Sequence, residues 1–320
     1  MPWKQNSFLY LVMLVISFSL VGCGSTLPKG CPPQCIGVNL IGKDLNGVNL
    51  SLSFLMESNL RKTRLEAANL SQANLSGAIL IEANLKGSQL GGALLIGSDL
   101  SKARLDHTDL SSADLTGANL TSANLTGAIL DGTIMKGADF IETEMIGVNL
   151  SSMKLNAAVF RNANMSGVNL TGADLSGAIL SGANASGSYM SGAVLTGAWL
   201  NKTNLTSSDL SGADLSGASL YAADLSGASL LGATLSGANL VGADLSGADL
   251  RDANIEGAIF WLADLNNTTI IDHDSVITML NEAGRASLAQ DANLCGARYN
   301  AQTRWPASFT IPSCAALVEE

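Results

Sequence analysis

From Leu40 to Ile270 every fifth residue is apolar, 47 consecutive positions in frame without an insertion. Most of these centres are leucine. The others include Met135, Phe140, Met145, Phe160, Met165, Met190, Ile255 and Phe260, and Ala185 is the only small one. Two residues before each centre stands a small side chain, usually Ala, otherwise Ser, Thr or Val, with Lys43 and Met153 as outliers. A helix needs an apolar period near 3.6 and a half-buried strand a period of 2. A period of five with two inward side chains fits a chain that turns a corner at every unit. Four such sides close a square coil of 20 residues, stacked on its neighbours at the ~4.8 Å spacing of paired strands. Asp, Asn, Ser, Thr and Gly then face outward or make the turns.

The unit is clearest in Ala213-Asp214-Leu215-Ser216-Gly217 and again in Ala243-Asp244-Leu245-Ser246-Gly247. These residues resemble the pentapeptide repeat family, whose unit is Ala, then Asp or Asn, then Leu and two freer positions. The resemblance implies an all-β fold, a right-handed quadrilateral β-helix of nearly 12 coils and ~55 Å length. Each buried centre should contribute on the order of 1.5–3 kcal/mol before chain entropy is subtracted. Solenoid stability is set by nearest neighbours, so the small Ala185 is the expected weak point of the leucine column.

The segments outside the repeat read differently. Residues 1–22 have the form of an export signal, with Lys4 ahead of an apolar run from Phe8 to Leu20 broken by Ser17 and Ser19. That run is shorter than the ~20 residues of a membrane span. Leu20-Val21-Gly22-Cys23 resembles a bacterial lipoprotein signal, which implies that Cys23 is lipidated and becomes the new N-terminus. Gly24, rather than Asp, implies sorting to the outer membrane in a two-membrane bacterium. Two or three acyl chains anchor far more firmly than one. The expected division is 1–22 signal, 23–38 tether and N-terminal cap, 39–272 solenoid and 273–320 C-terminal cap. Within that last segment Val276, Ile277, Leu280, Ala283 and Leu288 have helical spacing over 275–290. A helix there could cover the strand edges that a solenoid leaves open. The tail with Tyr299, Thr303, Trp305, Pro306 and Phe309 is similar to the C-terminal segment of cyanobacterial pentapeptide repeat proteins.

Besides Cys23 there are four cysteines, Cys31 and Cys35 at one end of the repeat and Cys295 and Cys314 at the other. Bridged Cα atoms lie within about 7 Å, so a stiff rod excludes pairing across its length and four-cysteine zinc ligation with it. A Cys295–Cys314 bridge would close the C-terminal cap. Cys31 could bridge to Cys35, or Cys35, which falls in the leucine frame, could be plain core.

Net charge is −10, with 17 basic against 27 acidic residues, which argues against nucleic acid as a partner. Only 14% of residues are charged while 47% are hydrophobic, so the chain is not of the disordered class. Little in the sequence suggests catalysis. His107 stands at an outward turn position. Asp272-His273-Asp274 is better read as the start of a helix, with Asp274 or Ser275 as its cap, than as a metal or catalytic site. Neither a nucleophile elbow nor a phosphate loop is present in context. No cofactor and no metal are expected, and an enzyme is not.

Surface asymmetry carries more information. The side centred on Leu40, Leu60 and onward to Phe260 is flanked by Ile41, Ile79, Ile81, Ile141, Val159, Ile179, Trp199, Tyr221, Val241, Ile259 and Trp261. The next side has only Ile146, and carries Asp44, Glu144, Asp224, Asp244 and Asp264 instead. Contiguous apolar surface on a rod suggests an interface, widened by Tyr189 and Val194 on adjoining sides. The function expected is a non-catalytic, lipid-anchored rod of the cell envelope that takes a protein partner or a second copy of itself. The alternative is a DNA-mimicking gyrase binder, as in the quinolone-resistance members of the family; acidity and rod shape suit it, while the export signal and scattered charges do not.

Overall fold

A computed structural model describes residues 27–260, 262–266, 268, 298–299 and 316–317. Along the repeat, the residue before each centre pairs in parallel with the residue 20 positions on, from Gln34 with Phe54 to Asp244 with Asp264. Four bridges per 20 residues make four sides. We number them by their centres: the first runs from Leu40 to Phe260, the second from Leu45 to Leu265, the third from Leu50 to Leu250 and the fourth from Cys35 to Ile255. Each side is a single-residue bridge rather than a long strand because a two-residue turn follows every three residues.

Backbone hydrogen bonding explains the corner. In one representative unit the Ala213 amide donates to the Leu210 carbonyl at 3.0 Å, which closes a four-residue turn. Gly212, third in that turn, has φ of 64°. A positive φ there is what a type II turn requires, and glycine adopts it without a Cβ clash. Glu57, Lys102 and Asn162 take the same left-handed conformation without being glycine, at φ of 57°, 58° and 56°. Three more amides of the unit reach neighbouring coils: Leu210 donates to Ser229, Gly212 to Leu231 and Asp209 to Ser188, at 2.7, 2.8 and 2.9 Å.

The interior is the double column expected from the sequence. Centres and small residues are almost entirely buried, from Cys35 to Leu265. Where the small residue is threonine, its hydroxyl meets a need that a buried polar group always has. Thr63 donates to the Leu40 carbonyl at 2.9 Å and Thr203 to that of Leu180 at 2.8 Å, both in the preceding coil.

The expected weak point is not where the pairing fails. Ala185 is fully buried, and its coil keeps its ladder: Ala185 donates to Asn204 at 2.7 Å and Gly187 to Thr206 at 2.8 Å. The stacking opens instead between residues 127–138 and 146–159. There the amides of Gly127, Leu130, Gly132, Met135 and Gly137 lack the partners that their counterparts have elsewhere, as do those of Asn149, Lys154 and Val159 in the facing coil, among the described residues. The bridges Ile129 to Asn149 and Ile134 to Lys154 are missing as well. The coils stay joined on the first side, where Phe140 donates to Val159 at 2.8 Å, and on the second, where Leu125 donates to Glu144 at 2.7 Å. The result is a wedge open on the third and fourth sides.

Excess volume accounts for it. Met153 occupies the narrow position that Ala, Ser, Thr or Val fills elsewhere, and it is only partly buried. Phe140 and Phe160, the largest fully buried side chains, stack at 5.1 Å between the same two coils. A close-packed interior does not absorb added methylenes without moving backbone. Lys43, the other outlier, leaves its coil intact because it lies in the first turns and its side chain escapes into solvent. Small Ala185 only subtracts volume, and subtraction does not push coils apart.

Parallel pairing begins at Gln34, earlier than the boundary at residue 39 expected from the sequence. Cys35 is fully buried at the foot of the leucine column and is also bridged to Cys31, with Cα atoms 4.9 Å apart. In the C-terminal segment, β1 (Arg298–Tyr299) pairs in parallel with β2 (Ala316–Leu317). The helix expected over 275–290, and the bridge expected between Cys295 and Cys314, lie outside the described residues.

Candidate interaction surface

In a unit whose ladder is intact, one amide has no backbone partner, that of the residue after the centre. The outward Asp or Asn before the centre receives it. Ser71 donates to Asn69 Oδ1 at 3.0 Å, Ser211 to Asp209 Oδ1 at 3.0 Å and Ser216 to Asp214 Oδ1 at 2.9 Å. When the residue after the centre is serine, its hydroxyl reaches the same oxygen: Ser176 to Asp174 at 2.6 Å and Ser216 to Asp214 at 2.6 Å. These bonds favour the ionised carboxylate. The serine hydroxyl first, then its amide, holds the carboxyls of Asp174 and Asp214 below the usual range, with Asn156 and Thr196 adding a smaller push in the same direction. Asp249 is lowered in the same sense, chiefly by the Arg251 guanidinium. The outward Asp and Asn residues are therefore part of the solenoid's hydrogen bonding, a role that outward position alone does not reveal. The recurrence of Asp-Leu-Ser in the sequence is the signal that carries it.

An apolar residue at this position forgoes that bond and exposes apolar area besides. On the first side, Val159, Ile179 and Trp199 do so in three successive coils, bridged Val159 to Ile179 and Ile179 to Trp199. The amides of Arg161, Ser181 and Asn201 accordingly have no side-chain acceptor two residues back. Trp199 is 56% exposed, Tyr221 beyond it 47% and Ile79 37%, while Ile81, Ile141, Val159, Ile179, Val241 and Ile259 are half-buried. Trp261 lies outside the described residues. Exposed apolar residues are not confined to this side. Phe54, Leu94 and Ile134 stand on the fourth and Ile129 and Tyr189 on the third, but there each is isolated along its column by polar residues. What distinguishes the first side is the unbroken run. Among the described residues the second side exposes one large apolar side chain, Ile146. It stacks Glu144, Asn164 and Asn184 through side-chain bonds of 2.8 and 3.2 Å, with Asp224, Asp244 and Asp264 further along.

His107 sits under the next coil, where any side chain at Gly127 would collide with its ring. Beside it Asp106, nearly buried, lies 3.3 Å from Lys86 Nζ and 3.5 Å from Arg104 Nε, a small charge cluster on the second side. No group of three or more potential metal ligands occurs among the described residues. Cys23, Asp272, His273, Asp274, Cys295 and Cys314 lie outside them.

The sequence model of the pentapeptide repeats matches this chain in eight copies between residues 34 and 268. The chain belongs to the pentapeptide repeat family. Among solved members, HetL, a pentapeptide repeat protein involved in heterocyst differentiation regulation in the cyanobacterium Nostoc, is 34% identical; the match covers 73% of this chain and 89% of HetL, with a TM-score of 0.31. Rfr23 from the cyanobacterium Cyanothece is 34% identical over 36% of this chain and 85% of its own, with a TM-score of 0.25. Full-length QnrB1, a plasmid-mediated fluoroquinolone resistance protein, is 16% identical over 83% of this chain and 93% of its own, with a TM-score of 0.24. No curated protein matches. Pentapeptide repeat proteins are generally structural or binding scaffolds.

Proposed function

We propose that this pentapeptide repeat protein is a non-catalytic binding or structural rod whose first side takes a protein partner or a second copy of the chain. The observation that carries the reading is the Val159, Ile179 and Trp199 run. Three coils in succession give up a hydrogen bond that the fold makes elsewhere and present apolar surface in its place. A covered face returns what both concessions cost, since large buried aromatic residues dominate interface energetics. The test is the double variant Ile179→Ser, Trp199→Ser. Loss of the oligomeric state or of co-purifying protein is expected, with the fold unchanged because both side chains point outward. Identical sedimentation and identical co-purifying proteins would sink the reading.

The second half of the proposal is location. Cys23 is lipidated in this reading and the rod is held at the cell envelope, at the outer membrane of a two-membrane cell, winding right-handed as its family does beneath a cap formed by 273–320. The Cys31–Cys35 bridge supports it, because disulfides persist in oxidising compartments and are rare in the cytosol. That bridge also weighs against the gyrase-binding alternative, whose support is rod shape and a net charge of −10. Acyl labelling and membrane fractionation of the wild type and Cys23→Ser decide the matter. Label lost in the variant is expected; an unlabelled soluble protein with free thiols would return the gyrase reading to the front.

A further inference from the structure

The wedge between the coils at 127–138 and 146–159 forms a cleft of about 540 Å³, inside the range of about 300–1,000 Å³ typical of ligand sites. We propose that it is a binding site for an extended acidic peptide segment, which enters as an added strand between the two coils. It lies mainly on the fourth side, so it can succeed or fail independently of the first-side interface.

Two observations point to this occupant. First, both walls are unpaired strand edges. The amides of Gly132, Met135 and Gly137 face across the cleft, and the carbonyls of Ser151, Lys154 and Asn156, which would receive them in a closed ladder, do not. An extended chain running parallel to both coils offers carbonyls to the first set and amides to the second, and strand addition to an open edge takes its affinity from such bonds. A lipid tail or an aromatic small molecule has neither group at strand spacing. Parallel neighbours sit ~4.8 Å apart, so one inserted strand needs the coils parted by about that much again on the open sides, with the joined sides as the hinge. Second, the charged side chains that line the cleft itself are both basic, with one carboxylate, Asp174, in the coil behind Lys154. Lys136 and Lys154 line the cleft and neither forms an ion pair among the described residues. Ile134 and Met153 between them offer apolar contact to the alternate residues of the guest.

The probe is a fluorescein-labelled peptide of five residues alternating glutamate and valine, with the alternating lysine and valine peptide as control. Fluorescence anisotropy and hydrogen exchange are read together on the full chain. The acidic peptide is expected to bind and to slow exchange at Gly132, Met135 and Lys154, while the basic one does not. The double variant Lys136→Gln, Lys154→Gln should bind about fivefold more weakly, the size expected for two exposed charge pairs. Met153→Ala should let the coils close, so that the same amides exchange slowly without peptide and binding is lost. No anisotropy change up to millimolar protein overturns the proposal. So does equal binding of the two peptides, and so does full affinity in Met153→Ala once its amides are protected. The lysine variant keeps the test alive should Met153→Ala fail to fold.

Discussion

The coil around Ala185 and the coil around Met153 depart from the repeat in opposite directions, and only one of them breaks the ladder. Ala185 removes most of a leucine from the axis, yet the bonds to Asn204 and Thr206 hold at 2.7 and 2.8 Å. Met153 adds a long side chain at a narrow position, and pairing on two of four sides is lost. The difference teaches which position of the unit sets coil spacing. The centre fills a wide axis in which Met165, Ala185 and Met190 all keep their ladder bonds, and loss of volume there leaves backbone pairing to hold the coils together. The residue two before it lies against the wall, where there is room for a methyl or a branched stub and little more.

Moving the surplus tests the contrast most strongly. Ala193 occupies on the fourth side the same place two coils further on, where Val194 donates to Ala173 at 2.9 Å. Ala193→Met should open that coil pair as well and lower unfolding free energy by about 1–3 kcal/mol, the usual cost of overpacking, read by urea denaturation. The converse change, Met153→Ala, should raise the urea midpoint, since the ladder bonds regained outweigh the lost apolar contact of a half-buried methionine. A lower urea midpoint for Met153→Ala would refute the wedge account.

The surface ladder gives smaller effects. Asp214→Ala removes the acceptor for the Ser216 amide and hydroxyl and should cost about 1 kcal/mol, comparable to losing a helix cap. Asp214→Asn keeps the amide acceptor, as the many Asn units show, and should cost less. Because Asp174 and Asp214 titrate lower in the folded chain than in the unfolded one, their stabilisation is present above the unfolded value near 4. It is lost as pH falls through the folded values. Denaturation midpoints at pH 7 and pH 3 should therefore converge slightly in Asp214→Asn relative to the wild type.

How far these features are legible in the sequence depends on whether they repeat. The period of five from Leu40 places each centre and each small residue inside the solenoid, because periodicity encodes facing directly. Met153 is visible as an outlier in the same frame, but its consequence depends on three-dimensional neighbours: Phe140 and Phe160 lie 13 residues before and 7 after it, and only the 20-residue coil brings all three together. Lys43 breaks the same rule harmlessly because it stands at the end of the rod, and position along an axis is not a property of a pentapeptide. The run of Val159, Ile179 and Trp199 emerges once the sequence is read at intervals of 20. Its hydrogen-bond deficit does not, since the partnership of Asp214 with Ser216 is a turn geometry seen only with backbone in place. Cys35 shows the same limit: core residue and disulfide partner read as alternatives along the chain, and the geometry makes it both.

The central claim, that volume at the narrow position governs coil stacking, is tested most directly by native-state hydrogen exchange of the unliganded chain, amide by amide. The account predicts fast exchange at Leu130, Gly132, Met135 and Lys154 against slow exchange at Ala185, Gly187 and Val194. Uniform slow exchange along 127–206, or fast exchange centred on Ala185, would contradict it.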